Sequence, residues 1–197
     1  MTNSASSAPI YSLDSLRAAL AAGQSFEYLY FWGHTPKPGA VGKECFSQWY
    51  PAAFELEGHS YPTAEHYMMA EKARLFQDEA TRAAILAAKS PNDAKKLGRQ
   101  IQNFEEAAWL AARFDIVVRA NAAKFSQHPA LREFLLNTGQ QVLVEASPVD
   151  AIWGIGLAQD HAAAANPATW RGLNLLGFAL MQVRDLLTGS DHIPEIK

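Results

Sequence analysis

The residues best suited to chemistry stand in Tyr61-Pro62-Thr63-Ala64-Glu65-His66-Tyr67 and in the Ala70-Glu71-Lys72 that follows. Thr63 is placed to cap a helix reaching Phe76, so Glu65 and His66 fall in its opening turn. Lys72 comes seven residues after Glu65, hence on the same face two turns on. A carboxylate and an amine facing one cavity suit acid–base or covalent chemistry. The plainer reading makes Glu65 a complement to the helix dipole and Lys72 a solvated surface charge. No second histidine follows His66 at i+4, so the zinc-helix pattern is absent.

A second segment, Ser147-Pro148-Val149-Asp150-Ala151-Ile152-Trp153-Gly154-Ile155-Gly156, sets an acid three residues before an indole and two glycines. Asp150 there suits orienting water or ribose hydroxyls, and Trp153 suits stacking on a heterocycle. A turn with a core tryptophan is the alternative. The third is Gly172-Leu173-Asn174-Leu175-Leu176-Gly177, where Asn174 opens a predicted helix whose free N–H groups could receive phosphate, or simply caps it. Neither a P-loop nor a Gly-x-Gly-x-x-Gly is present, which removes support for nucleotide-dependent kinases and Rossmann dehydrogenases.

The elements that must hold these residues read as α+β: mostly helices packed around a small sheet. Helices are predicted over Leu13–Ala22 with Ser12 as cap, from Thr63 to Phe76, from Ser90-Pro91, from an Asn103/Glu106 capping box, over Pro129–Leu136 and over Leu175–Leu187. In the fourth of these Leu110, Phe114, Val117, Val118 and Phe125 repeat at helical spacing. In the last, Leu175, Leu176, Phe178, Ala179, Leu186 and Leu187 supply the buried stripe. Strands are predicted over 26–32 and 141–145, and a hairpin turns at Glu57-Gly58.

The chain has 197 residues, enough for one domain with a substantial core. Its net charge of −3 argues against a general nucleic-acid or membrane-surface binder. The single cysteine, Cys45, rules out an internal disulfide and reads as a packing residue. No signal-peptide pattern and no apolar run near the ~20 residues of a membrane span are present, so a cytoplasmic protein is expected. A loose arm is expected over 1–9, a single domain over 10–190 and a tail over 191–197.

Taken in order, these strings resemble the NADAR (YbiA-like) N-glycosidase family. Tyr-Pro-Thr-Ala-Glu-His-Tyr with Ala70-Glu71-Lys72 is similar to that family's helix motif. Gly98-Arg99, Trp109 with Arg113, Lys124-Phe125, Leu143-Val144-Glu145, the Ser147-to-Gly156 string and Gly172-x-Asn174-x-Leu176-Gly177 follow in the family's order. Phe46-Ser47-Gln48-Trp49-Tyr50-Pro51 resembles the early Ser-Asn element, with Gln48 where asparagine is usual. Met69 stands where glutamine is common.

The resemblance implies hydrolysis at ribose C1 of a small ribose-phosphate substrate, a phosphoribosylamino-pyrimidine of riboflavin synthesis. The alternatives are ADP-ribosylated guanine in nucleic acid and non-catalytic binding of NAD-derived nucleotides. No metal or organic cofactor is implied. Glu65 would stabilise positive charge at C1 or transfer a proton, Asp150 would hold ribose hydroxyls or activate water, and Lys72 could form a transient Schiff base. Arg99 and Lys124 are the phosphate candidates. Trp32, Trp49 and Trp153 are the stacking candidates, and Trp109 divides evenly between stacking and core. His66 and Asn174 complete the expected binding set.

Overall fold

A computed structural model of the chain describes residues 9–189. Most of the expected N-terminal arm and all of the expected tail lie outside that range. Among the described residues the helices are α1 (Leu13–Ala21), α2 (Ala64–Leu75), α3 (Glu79–Leu86), α4 (Pro91–Gly98), α5 (Glu106–Gln127), α6 (Pro129–Leu136) and α7 (Leu175–Thr188). The strands are β1 (Tyr28–Phe31), β2 (Phe54–Leu56), β3 (His59–Tyr61) and β4 (Val142–Glu145), with single 3-10 turns at Lys43–Phe46, Ala162–Ala165 and Pro167–Thr169. The fold is α+β. Its sheet is realised as two strand pairs, β1 with β4 and β2 with β3.

Local chemistry explains where these elements begin. Ser12, Thr63 and Ser90 each accept a backbone N–H three residues on, from Ser15, His66 and Asp93, and so satisfy donors the first helical turn leaves open. In the β2–β3 hairpin Phe54 faces Tyr61 and Leu56 faces His59. Its two turn residues, Glu57 and Gly58, have φ of 52° and 77°, the left-handed conformation a two-residue turn between twisted strands requires.

Three expectations need correction. The cap of α5 is Glu105, whose carboxylate accepts from Ala107 N and Ala108 N, while Asn103 takes a left-handed φ of 55° outside the helix. α3 was not foreseen; its cap, Asp78, accepts from Thr81 N and also from Gln102 N, a partner far along the chain. Leu110 is exposed because it lies in the first turns of α5, ahead of that helix's buried stretch, and Leu186 is exposed while Leu187 beside it is buried.

The chain divides into two compact units. In the first, residues 9–30 with 140–181, the core gathers Leu16, Val142, Leu143, Val144, Ile155, Trp170 and Phe178. In the second, residues 31–139 with 182–189, α2 is the central helix and packs against α3, α4 and α5. Every α2 residue from Ala64 to Glu71 is buried. Around it Tyr61 and Tyr67 meet edge to face at 5.0 Å, and Phe46 lies 5.4 Å from both Phe31 and Phe134. A helix enclosed all round must find partners for its polar side chains. Glu71 finds two guanidiniums, Arg74 at 2.7 Å and Arg119 at 3.3 Å.

Candidate functional site

In the second unit, the segment Cys45–Gln48 is fastened to α5 and to the start of α2. Lys124 of α5 is fully buried and its Nζ donates to Cys45 O (2.6 Å) and Ser47 O (3.0 Å). Asn121, one turn earlier, donates Nδ2 to Gln48 Oε1 (2.8 Å). Gln48 O in turn accepts the backbone N–H of Glu65 (3.0 Å). Glu65 is thereby fixed in the first turn of α2 with 3% of its surface exposed. The carboxylate thus projects from a fixed stretch of backbone, which limits what must reorder when charge develops beside it.

This geometry corrects the expected role of Lys124. Its ammonium spends its hydrogen bonds on two carbonyls, and burial pushes its pKa down to about 8. It has no surface to give a phosphate. Gln48 and Asn121, by contrast, belong to the support of Glu65, and a single sequence offers no signal linking residues 73 apart. Cys45 beneath them is buried, and burial pushes its thiol up to about 12, which suits packing and not nucleophilic attack.

Two turns along α2, Lys72 is half-buried and donates Nζ to Gly98 O at 2.9 Å. Its ammonium lies 4.5 Å from the Phe104 ring centroid and 5.5 Å from that of Trp109. No carboxylate pairs with it among the described residues. Burial lowers its pKa, which raises the fraction of free amine available as a nucleophile. Met69 packs on Gly98, where a Cβ would collide with its sulfur. The position that often carries an amide in the family is here used to seat the turn that receives Lys72.

His66 is fully buried, with Nδ1 2.8 Å from Thr63 Oγ1 and Nε2 3.2 Å from Ala88 O. Ala88 O can only accept, so Nε2 carries the proton and Nδ1 accepts from the threonine hydroxyl. Both ring nitrogens are spent inside the protein. The expected substrate contact is corrected: the imidazole is a clamp between the α2 cap and the end of α3. Burial lowers its pKa from 6.5, so the unfolded chain binds the proton more readily than the folded one. This stability is complete above about pH 6.5 and is lost as the pH falls toward the folded pKa. Melting temperatures measured from pH 7.5 to 5 are expected to fall with a slope that shrinks in His66→Gln. An unchanged slope would remove the clamp from the pH dependence.

Of the remaining candidates in this unit, Trp32 is 60% exposed and Trp49 is half-buried, 5.5 Å from His34 and 5.7 Å from Lys95 Nζ. Trp109 is half-buried and shares Lys72 with Phe104. Arg99 is exposed just after α4.

In the first unit, Asp150 Oδ1 accepts both Ile152 N and Trp153 N at 2.8 Å, so the acid shapes the turn that carries the half-buried indole. The carbonyls of that turn consume the donors at the start of α7: Asn174 N binds Gly154 O, Leu175 N binds Ile152 O and Leu176 N binds Trp153 O. Asn174 itself is fully buried, its amide bonded to Leu143 O and Glu145 N. The expected phosphate-receiving helix end is therefore corrected, since its donors are already engaged.

The NADAR domain family matches residues 30–188. The chain belongs to that family. An N-glycosidase of Acanthamoeba polyphaga mimivirus is 42% identical over 164 residues, spanning 81% of this chain and 95% of that protein. A chloroplastic riboflavin biosynthesis protein PYRR of Zea mays is 35% identical over 157 residues, 74% of this chain and 23% of its own length. The NMR structure of Escherichia coli YbiA superposes with a TM-score of 0.69 at 28% identity, covering 88% of this chain and 94% of that one. The matched range includes residues of both compact units, among them α2 in one and the Asp150–Gly156 turn in the other. Among the described residues no group of side chains could hold a metal ion, and no helix is long and apolar enough to cross a membrane.

Proposed function

We propose that the chain is an N-glycosidase that hydrolyses the C1–N bond between a phosphorylated ribose and an amino-heterocycle. The observation that carries this reading is Glu65, a buried carboxylate fixed through its own N–H by Gln48 O on the helix that also bears the carboxylate-free amine Lys72. Loss of the base sends the bonding pair to nitrogen and leaves positive charge on C1 and the ring oxygen. An oriented carboxylate lowers the energy of that state. Water then adds to C1, and its proton replaces the sugar on the departing nitrogen.

Lys72 offers a covalent route to the same products. Its free amine attacks C1 of the ring-opened imine, expels the amino-heterocycle and is released when water hydrolyses the new imine. Kinship with the mimiviral N-glycosidase supports the reaction class, and the maize protein's name, a riboflavin biosynthesis protein, agrees with a substrate from riboflavin synthesis.

Purified protein incubated with a phosphoribosylamino-pyrimidine is expected to release the free base and ribose 5-phosphate. Borohydride added during turnover is expected to leave a reduced sugar adduct on Lys72, read by mass spectrometry. Release of ADP-ribose from modified guanine, with the pyrimidine untouched, would replace the substrate. Absence of release from both would end the proposal.

A further inference from the structure

Phe104 belongs to no string that suggests chemistry, yet 46% of its surface is open to solvent. It immediately precedes Glu105, the cap of α5, and Trp109 lies one turn inside that helix. At two such positions a helix entry commonly closes an apolar pair, one side chain ahead of the cap packing on one a turn within. Here no ring contact joins the two among the described residues. Phe104 packs instead on the buried Phe76, edge to face at 5.1 Å. The Lys72 amine is the group near both rings, 4.5 Å from the Phe104 centroid and 5.5 Å from that of Trp109.

The amine is held by Gly98 O at 2.9 Å, so its position relative to Phe104 is set by the backbone as well as by the rings. Apolar neighbours keep water from an amine and favour its neutral, nucleophilic form. A neutral amine keeps its contact with a ring, since an N–H also points favourably at an aromatic face. When such an amine displaces a nitrogen at C1, both nitrogens sit on one carbon, roughly 2.4 Å apart. The heterocycle carried by the departing nitrogen then lies within a ring's width of Nζ, which is where Phe104 stands. A flat heteroaromatic gains stacked or edge contacts on an open phenyl ring that a sugar alone does not. Phe76 behind it keeps the ring from folding away.

We propose that Phe104 is a specificity-determining residue whose open ring is the wall on which the flat leaving heterocycle rests while Lys72 holds C1. This role rests on the reading of Lys72 as nucleophile and deepens it by naming what selects the leaving group. Phe104 touches the base and takes no part in the bonds that change.

Two reactions at Lys72 separate the base from the sugar. With ribose 5-phosphate alone, the amine condenses with the C1 aldehyde of the open-chain sugar and water leaves. Borohydride then reduces the imine to an adduct that mass spectrometry counts. With the phosphoribosylamino-pyrimidine, the same amine must also expel the base. Phe104→Ala is expected to keep adduct yield from ribose 5-phosphate within about twofold and to lower kcat/KM for base release by roughly tenfold or more. Phe104→Trp, which keeps a flat wall, is expected to retain most of that activity. An equal fall in both reactions would make Phe104 a mere seat for the amine and overturn the inference, as would unchanged base release. Should the wild type form no adduct, calorimetric titration with 5-aminouracil decides. Weaker binding to Phe104→Ala would keep the wall and retire Lys72 as nucleophile. Equal affinity, or no binding to the wild type, overturns the inference.

Discussion

Glu65→Gln is expected to lower kcat by roughly 100-fold or more while ligand affinity changes by less than about threefold. The substitution is nearly isosteric and keeps the backbone N–H that Gln48 O accepts, so the first turn of α2 stays where it is. What disappears is the negative charge beside the carbon that becomes positive. An interaction formed mainly in the transition state acts on kcat, not on binding. If Glu65 merely complements the helix dipole, the change costs up to about 2 kcal/mol of stability and leaves kinetics alone. Steady-state rates, calorimetric affinities and melting curves on one preparation separate these outcomes. A kcat within threefold of wild type would take Glu65 out of the reaction.

Lys124→Met is expected to act in the opposite order, on stability first. It leaves the buried Cys45 O without its Lys124 donor and Ser47 O with the Tyr50 N–H alone. Replacing a whole buried ion pair by apolar groups is often harmless, but here the Cys45 carbonyl remains without its donor. A cost of about 3 kcal/mol follows, or roughly 6–12 °C in Tm for a domain of this size. Because the freed segment carries Gln48, protein that stays folded should also lose kcat. A phosphate-binding lysine would instead raise KM and leave Tm unchanged. That pattern, in thermal unfolding and kinetics together, would restore the role the residue type suggests.

What could be read from the chain was what its near neighbours decide. Ser12, Thr63 and Ser90 were legible as caps because donor and acceptor lie three residues apart, and Glu57-Gly58 because the turn itself demands left-handed backbone. Asn103 with Glu106 satisfied the same local rule and misled, since Glu105 reaches two N–H groups with one carboxylate. The candidate site divides along the same line. Glu65 and Lys72 share a helix face by spacing alone. The fates of His66, Lys124 and Asn174 are set by Ala88, Cys45 with Ser47, and Leu143 with Glu145, all distant in sequence. A residue type states what a side chain can do, while its long-range partners state what it has left to do it with.

The Asn174 amide has a consequence for the rim of the β1–β4 pair. Val142 N bonds to Glu27 O at the β1 end, so residues of even number on β4 turn toward β1 and those of odd number turn outward. Leu143 O and Glu145 N are thus the groups a third strand would seek, and Asn174 offers them a donor and an acceptor 2.9 Å away, as a neighbouring peptide would. Glu145 O is taken by Ile155 N. A pair of strands with a bare hydrogen-bonding margin invites extended segments of other chains to add themselves and aggregate. Here one side chain impersonates the next strand for a single repeat and then ends, so the margin is closed to recruitment.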